Sequence, residues 1–250
     1  LTLKPYDFYM KPEMKGHFEL CSWFHAPGSR QALKEGTGTV TYVPNMLHRA
    51  ATDRLKVRRP HMFVGTCTPP DEKGYVSLSL GVTYEKDIFD VAELKILEVN
   101  KHLPRTFGDT HVHISEVDYF VEHHQIPPTL PSPQPDEEAM KIGEHVAKLV
   151  EDGATIQLGI GEIPNAVALS LKGKKDLGVH TEMMVDSVME LYEQGVITNK
   201  KKALHKGKFI CTFAMGSEKL YRWLDNNPSV EFLKGSYVND PCVIRKNSKM

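Results

Sequence analysis

Residues 152–183, DGATIQLGIGEIPNAVALSLKGKKDLGVHTEM, constrain the fold most, because an apolar run, a glycine-rich turn, a helix-forming segment and a second apolar run follow one another without a break. Short apolar runs bounded by glycine read as buried strands, and a strand, turn, helix, strand sequence is the repeating unit of an α/β sheet. The same rhythm continues on both sides. Upstream, residues 61–67 (HMFVGTC), 74–80 (GYVSLSL) and 94–99 (LKILEV) have strand length, and residues 84–93 can form a short helix with Ile88, Phe89 and Val91 on its apolar side. Downstream, residues 208–213 (KFICTF) predict a strand, and residues 185–194 and 218–226 predict helices. The expected architecture is therefore an open, doubly wound α/β sheet with mostly parallel strands.

A boundary falls at residues 126–135 (IPPTLPSPQP), where five prolines remove backbone donors and hold the chain extended. Residues 126–136 are read as a linker between an N-terminal domain over 1–125 and a C-terminal domain over 137–250. After it, Asp136 is placed to N-cap a helix running to Gly153, with Ala139, Ile142, Val146, Leu149 and Val150 at helical spacing. A length of 250 residues suits two such domains.

Composition narrows the function. With 31 basic and 32 acidic side chains the net charge is -1, so no global field favours nucleic acid or anionic membranes. No apolar run approaches the roughly 18 residues that cross a bilayer. Four cysteines lie far apart with no zinc-like spacing and read as reduced thiols, which sets a cytoplasmic location, or a mitochondrial matrix location in a eukaryote, as the expectation. His111 and His113 share one face of an extended stretch, but no third metal ligand accompanies them. Trp23, Phe24, Tyr221 and Trp223 are read as core or interface aromatics, and the run Lys200 to Lys202 as a solvated turn.

The glycine turn contains Gly159, Ile160, Gly161, Glu162 and Ile163 and leads into Pro164. Glycines there allow positive φ and close approach of a ligand to backbone N–H groups. The pattern lacks the third glycine of a dinucleotide fingerprint, so the residues alone fit a structural turn as well as a ligand site. Glu182 follows the second apolar run, near the carboxyl end of a strand, where open α/β sheets bind ligands. By itself it equally fits a solvated glutamate in the first turn of the next helix.

Taken together, LGIGEIPNAVALSLKGKKDLGVHTEM, GVITN, KGK, TFAMGSEKLYRWLDNNP and YVNDPCVI resemble the acetyl-CoA hydrolase/transferase family, within the family I CoA-transferases, and most of all its 4-hydroxybutyrate CoA-transferases. The resemblance extends upstream through Pro69, Pro70 and Asp71 with Gly74, through Glu98, Val99 and Asn100, and through Phe107 to His113. It implies two open α/β domains of the CoA-transferase kind, both incomplete in this chain, meeting at an active site. Glu182 matches the family's covalent nucleophile, and residues 159–163 match the turn that contacts the CoA thioester. Glu162 departs from the small residue usual at its position.

The implied activity is acyl-CoA:carboxylate CoA transfer between acetyl-CoA and a short acid such as 4-hydroxybutyrate or butyrate. It would proceed by ping-pong through a glutamyl-CoA thioester. The partners are then acyl-CoA and short carboxylic acids, in a homo-oligomer such as a homodimer, with no metal and no permanently bound cofactor. An acetyl-CoA hydrolase and a non-catalytic CoA-binding fragment are the alternatives. The resemblance also places the family's opening helix and strand, and a later glycine-rich segment, outside this chain.

Overall fold

The computed structural model describes Phe8 and residues 11–250, which fall into two compact units divided after Ala50. In the first unit, β1 (Leu20–Ser22) pairs in parallel with β2 (Val40–Tyr42) across α1 (Pro27–Glu35). Gly36 ends α1 in the left-handed conformation at φ 66°, returning its N–H to the last turn.

From the boundary onward the order is α2 (Ala50–Val57), β3 (Met62–Cys67), β4 (Tyr75–Ser77), α3 (Glu85–Val91), β5 (Leu94–Val99), β6 (Phe107–Gly108), β7 (His111–His113) and β8 (Tyr119–Glu122). After the proline-rich segment come α4 (Glu137–Leu149), β9 (Thr155–Ile156), α5 (Glu162–Ser170), β10 (Gly178–Val179), β11 (Met183–Met184) and α6 (Asp186–Glu193). The chain closes with β12 (Phe209–Cys211), β13 (Phe213–Ala214), α7 (Glu218–Leu224), β14 (Val230–Phe232), α8 (Gly235–Val238) and α9 (Pro241–Ile244).

The expected α/β alternation is present, in small and mostly parallel sheets. One has the order β3-β5-β8 and another β12-β14-β6, both parallel. The pair β9 and β10 is parallel with Gly178 opposite Thr155, and a bridge from His180 to Ile210 ties it to β12. The exception in direction is the β4/β7 pair, which is antiparallel. Strands are shorter than the apolar runs suggest: residues 154–160 yield only Thr155 and Ile156 in β9.

The proline-rich residues 126–135 carry no helix or strand and belong to the second unit. The strand pair β14/β6 joins residues on both sides of that segment, since Glu231 lies opposite Phe107. The Tyr221 hydroxyl donates to the Pro128 carbonyl at 2.9 Å, and Trp223 packs edge-on to Phe209 and Tyr192. The core of this unit includes Phe89, Leu97, Leu177, Met184, Met189, Phe209 and Phe232.

Asp136 caps α4 as expected, its Oδ1 accepting from the Ala139 N–H at 2.7 Å. The helix stops at Leu149 and buries Ala139, Gly143 and Ala147, while Ile142, Val146 and Leu149 are exposed. Small residues win this face because α4 rides directly on α5: a Cβ at Gly143 would lie 2.6 Å from the Ala166 carbonyl.

Candidate functional site

β9 and β10 run side by side and end together, so whatever follows each strand is brought to one edge. After β9 comes the glycine turn, and after β10 come His180, Thr181 and Glu182. Thr181 is fully buried between the two: its Oγ1 lies within hydrogen-bond distance of the Met183 carbonyl at 3.1 Å and the Leu158 carbonyl at 3.3 Å, and its N–H donates to the Ile210 carbonyl at 2.9 Å. The sequence-derived site residues therefore occupy neighbouring strand ends.

The turn is open and built from main chain. Gly159 is exposed, and Ile160 and Ile163 are about half exposed at 51% and 47%. Gly161 sits at φ 122°, ψ 178°, a conformation essentially restricted to glycine. It also caps α5 without any side-chain acceptor, so N–H groups of the first turn remain available to an oxygen from a ligand. Glu162, exposed in that first turn, places its charge at the favourable end of the helix. A cavity of about 360 Å³ lies beside the turn, lined among others by Ile160, Gly161, Asn165, Ser187 and Gly216; Glu182 is not among its lining residues.

Glu182 is half-buried and precedes β11, and α6 starts only at Asp186. The first-turn reading is thereby excluded. Its carbonyl accepts from the N–H groups of Thr212 and Phe213 at 2.9 and 3.2 Å, which fixes the backbone. Its Oε2 accepts from Asn239 Nδ2 at 2.6 Å, which fixes the carboxyl group as well. Asn239 follows α8 and returns its own N–H to Gly235 at 3.0 Å.

Three residues near this edge were not legible as functional. Asn239 lies 57 positions from Glu182, and although its segment YVNDPCVI carries part of the family resemblance, nothing in the sequence pairs it with that glutamate. His180 is 1% exposed, with Nε2 bonded to the Val238 carbonyl at 2.9 Å. Lys202 corrects an expectation: it is buried, and its Nζ donates to the carbonyls of Val179 and Lys208 at 2.7 Å each. Burial pulls its pKa down to about 8, against an opposing pull from Glu231. The absence of a side chain at Gly178 makes room for the Lys202 stem, which no inspection of a lysine run reveals.

The other candidates serve local structure. His113 caps a short helical turn through Nδ1, accepting from the Ser115 N–H at 3.3 Å, and His111 lies against Phe107. Among the described residues no group of three or more His, Cys, Asp or Glu side chains could hold a metal. Cys67 and Cys211 are buried free thiols, and burial drives the Cys67 pKa up to about 12. No helix of the described residues is long and apolar enough to cross a membrane.

The parallel strands β9 and β10 thus bring a fixed carboxylate, Glu182, and an open glycine turn to one edge of an α/β fold. The chain belongs to the acetyl-CoA hydrolase/transferase family: the model for its N-terminal domain matches residues 3–131 and that for its C-terminal domain residues 216–250. It is 44% identical over 243 residues to the 4-hydroxybutyrate coenzyme A transferase of Clostridium kluyveri, covering 97% of this chain and 56% of that protein. It is 39% identical over 254 residues to the succinyl-CoA:acetate/propanoyl-CoA:succinate CoA transferase of Fasciola hepatica, covering 99% and 51%. Among solved structures, RipA from Yersinia pestis superposes with a TM-score of 0.89 at 36% identity, over 95% of this chain and 57% of that one. The 4-hydroxybutyrate CoA-transferase from Porphyromonas gingivalis does so with a TM-score of 0.80 at 32% identity, over 94% and 61%. The chain spans about half the length of the curated relatives it matches.

Proposed function

We propose that this chain carries the nucleophilic half-site of an acyl-CoA:carboxylate CoA-transferase, exchanging CoA between acetyl-CoA and a short acid such as 4-hydroxybutyrate or butyrate. The observation that carries this reading is the Glu182 carboxylate, held by Asn239 at the strand edge it shares with the glycine turn. The names of the relatives support the same class of substrate.

A carboxylate is a weak nucleophile in water, but a thioester is an activated carbonyl, and a positioned carboxylate attacks it at high effective concentration. Glu182 adds to the acyl-CoA carbonyl and expels CoA thiolate, leaving an acyl-glutamyl anhydride. The thiolate attacks the glutamyl carbonyl, releases the first acid and leaves a glutamyl-CoA thioester. A second carboxylate then reverses both steps and departs as its own CoA ester. Backbone N–H groups of residues 159–163 supply donors for the oxyanions, each worth on the order of 3 kcal/mol in acyl-transfer sites. Asn239 fixes the rotamer of the nucleophile so that its attack is pre-oriented.

The test is to incubate the protein with acetyl-CoA, add borohydride and map the reduced residue. A reduced Glu182 and lost activity are expected, and full activity in Glu182→Ala would overturn the reading. Thiol release that needs no carboxylate acceptor would assign hydrolysis instead.

A further inference from the structure

We propose that His180 is a positioning residue for Glu182, holding the Val238 carbonyl so that the Asn239 amide is fixed against the carboxylate; this rests on Glu182 being the nucleophile. His180 and Glu182 are two positions apart between β10 and β11, and both side chains bond the same short segment. Their partners, Val238 and Asn239, are consecutive. The two contacts form adjacent rungs between one strand end and one helix end.

The helix that offers Asn239 cannot hold itself. At four residues, α8 is below any length that persists alone, so its position is set by what pins it. The Gly235 N–H donates to the Thr83 carbonyl at 2.8 Å, and the Tyr237 hydroxyl meets His205 Nε2 at 2.8 Å. Its N-cap, Lys234, donates its N–H to Asp109 at 2.9 Å and pairs with Asp87, so the start of the helix is held several times over, whereas at its end His180 bonds Val238, next to Asn239 itself.

The imidazole also has a cost that packing does not explain. Its Nδ1 is buried without a partner, a situation an apolar side chain of similar size would avoid. Because a carbonyl only accepts, the proton resides on Nε2. Burial lowers the His180 pKa, with Lys202 and His205 adding repulsion, so the neutral ring with its single Nε2 donor is the favoured form. Asn239 Oδ1 is likewise buried and unpartnered, so the amide is oriented by its Nδ2 contact to Glu182 and by the backbone that carries it.

The experiment compares His180→Gln, whose amide can reach the Nε2 position, with His180→Asn and His180→Leu, whose side chains cannot bond Val238. Leu and Asn should lower kcat about 10- to 100-fold with the KM for acyl-CoA within about twofold, as a misplaced reacting group does. Gln should recover to within about threefold of the parent. Because both residues act through one contact, His180→Asn combined with Asn239→Ala should be no slower than Asn239→Ala alone. Equal losses in Gln and Asn, or losses that multiply in the double variant, would overturn the proposal. The ¹⁵N side-chain amide resonance of Asn239 gives a readout free of catalysis: it should move in Glu182→Gln and in His180→Asn but little in His180→Gln. If wild-type protein yields no borohydride-trapped Glu182 while that resonance responds as stated, the nucleophile reading fails and the tether stands. An unmoved resonance in His180→Asn, with Glu182 still trapped, sinks the tether alone.

Discussion

The ends of β9 and β10 lie side by side yet are built on opposite plans. After β9 the chain is glycine-rich and, past the buried Leu158, mostly exposed, with Gly161 in a conformation other residues resist. After β10 it is buried, and His180, Thr181 and Glu182 each have a named partner. Under the function proposed above, the contrast teaches that a surface that receives a ligand can be main chain left open, whereas a group that reacts has its side chain fixed before the ligand arrives.

Substitutions can break that contrast, beginning with the largest effect. Glu182→Gln keeps shape and the contact to Asn239 but removes the nucleophile; turnover should fall at least about 1,000-fold, or about 4 kcal/mol, in a steady-state exchange assay. Gly161→Ala forces a Cβ onto φ 122° although its nearest neighbour, Pro164 Cδ, is 3.8 Å away. The cost is then backbone strain of about 1–3 kcal/mol, read as a lower Tm together with a raised KM for acyl-CoA. Gly178→Ala tests the buried side by driving a methyl into the Lys202 stem; it should cost about 1–3 kcal/mol in denaturant unfolding.

A smaller effect concerns acid. The folded-state pKa of His180 lies below its ordinary value of 6.5, so the native state binds fewer protons than the unfolded chain below that pH. Stability from this group is complete above about 6.5 and should decline as pH falls toward the depressed native value, seen as a falling urea midpoint that His180→Gln flattens. Smallest of all, Gly159→Ala has open space, with Pro164 Cγ no closer than 4.0 Å, and should change stability by no more than about 0.5 kcal/mol.

Much of this was readable from residue order. Apolar runs punctuated by glycine and proline announce the α/β alternation, and a glutamate placed after such a run lands at a strand's carboxyl end, as Glu182 does. What stayed hidden was set by distant contacts. Asn239 becomes a partner only when α8 docks, and the lysine run 200–202 conceals one buried ammonium because Gly178 leaves room for it. On α4 the larger apolar residues suggest the wrong face, since a close helix crossing rewards glycine and alanine instead.

The pairing of β6 with β14 carries a further consequence, for how the molecule reaches this state. Lys234 donates to Asp109 from 125 positions away, at 2.9 Å, beside the point where Phe232 meets Gly108. Such pairings must close a long loop before they repay it, which slows folding and leaves partners unmatched meanwhile. During synthesis β6 emerges well before its neighbour exists. Because Asn239 lies past β14, at the end of α8, a nascent or partly unfolded chain in which that strand has not yet docked carries Glu182 without its Asn239 contact.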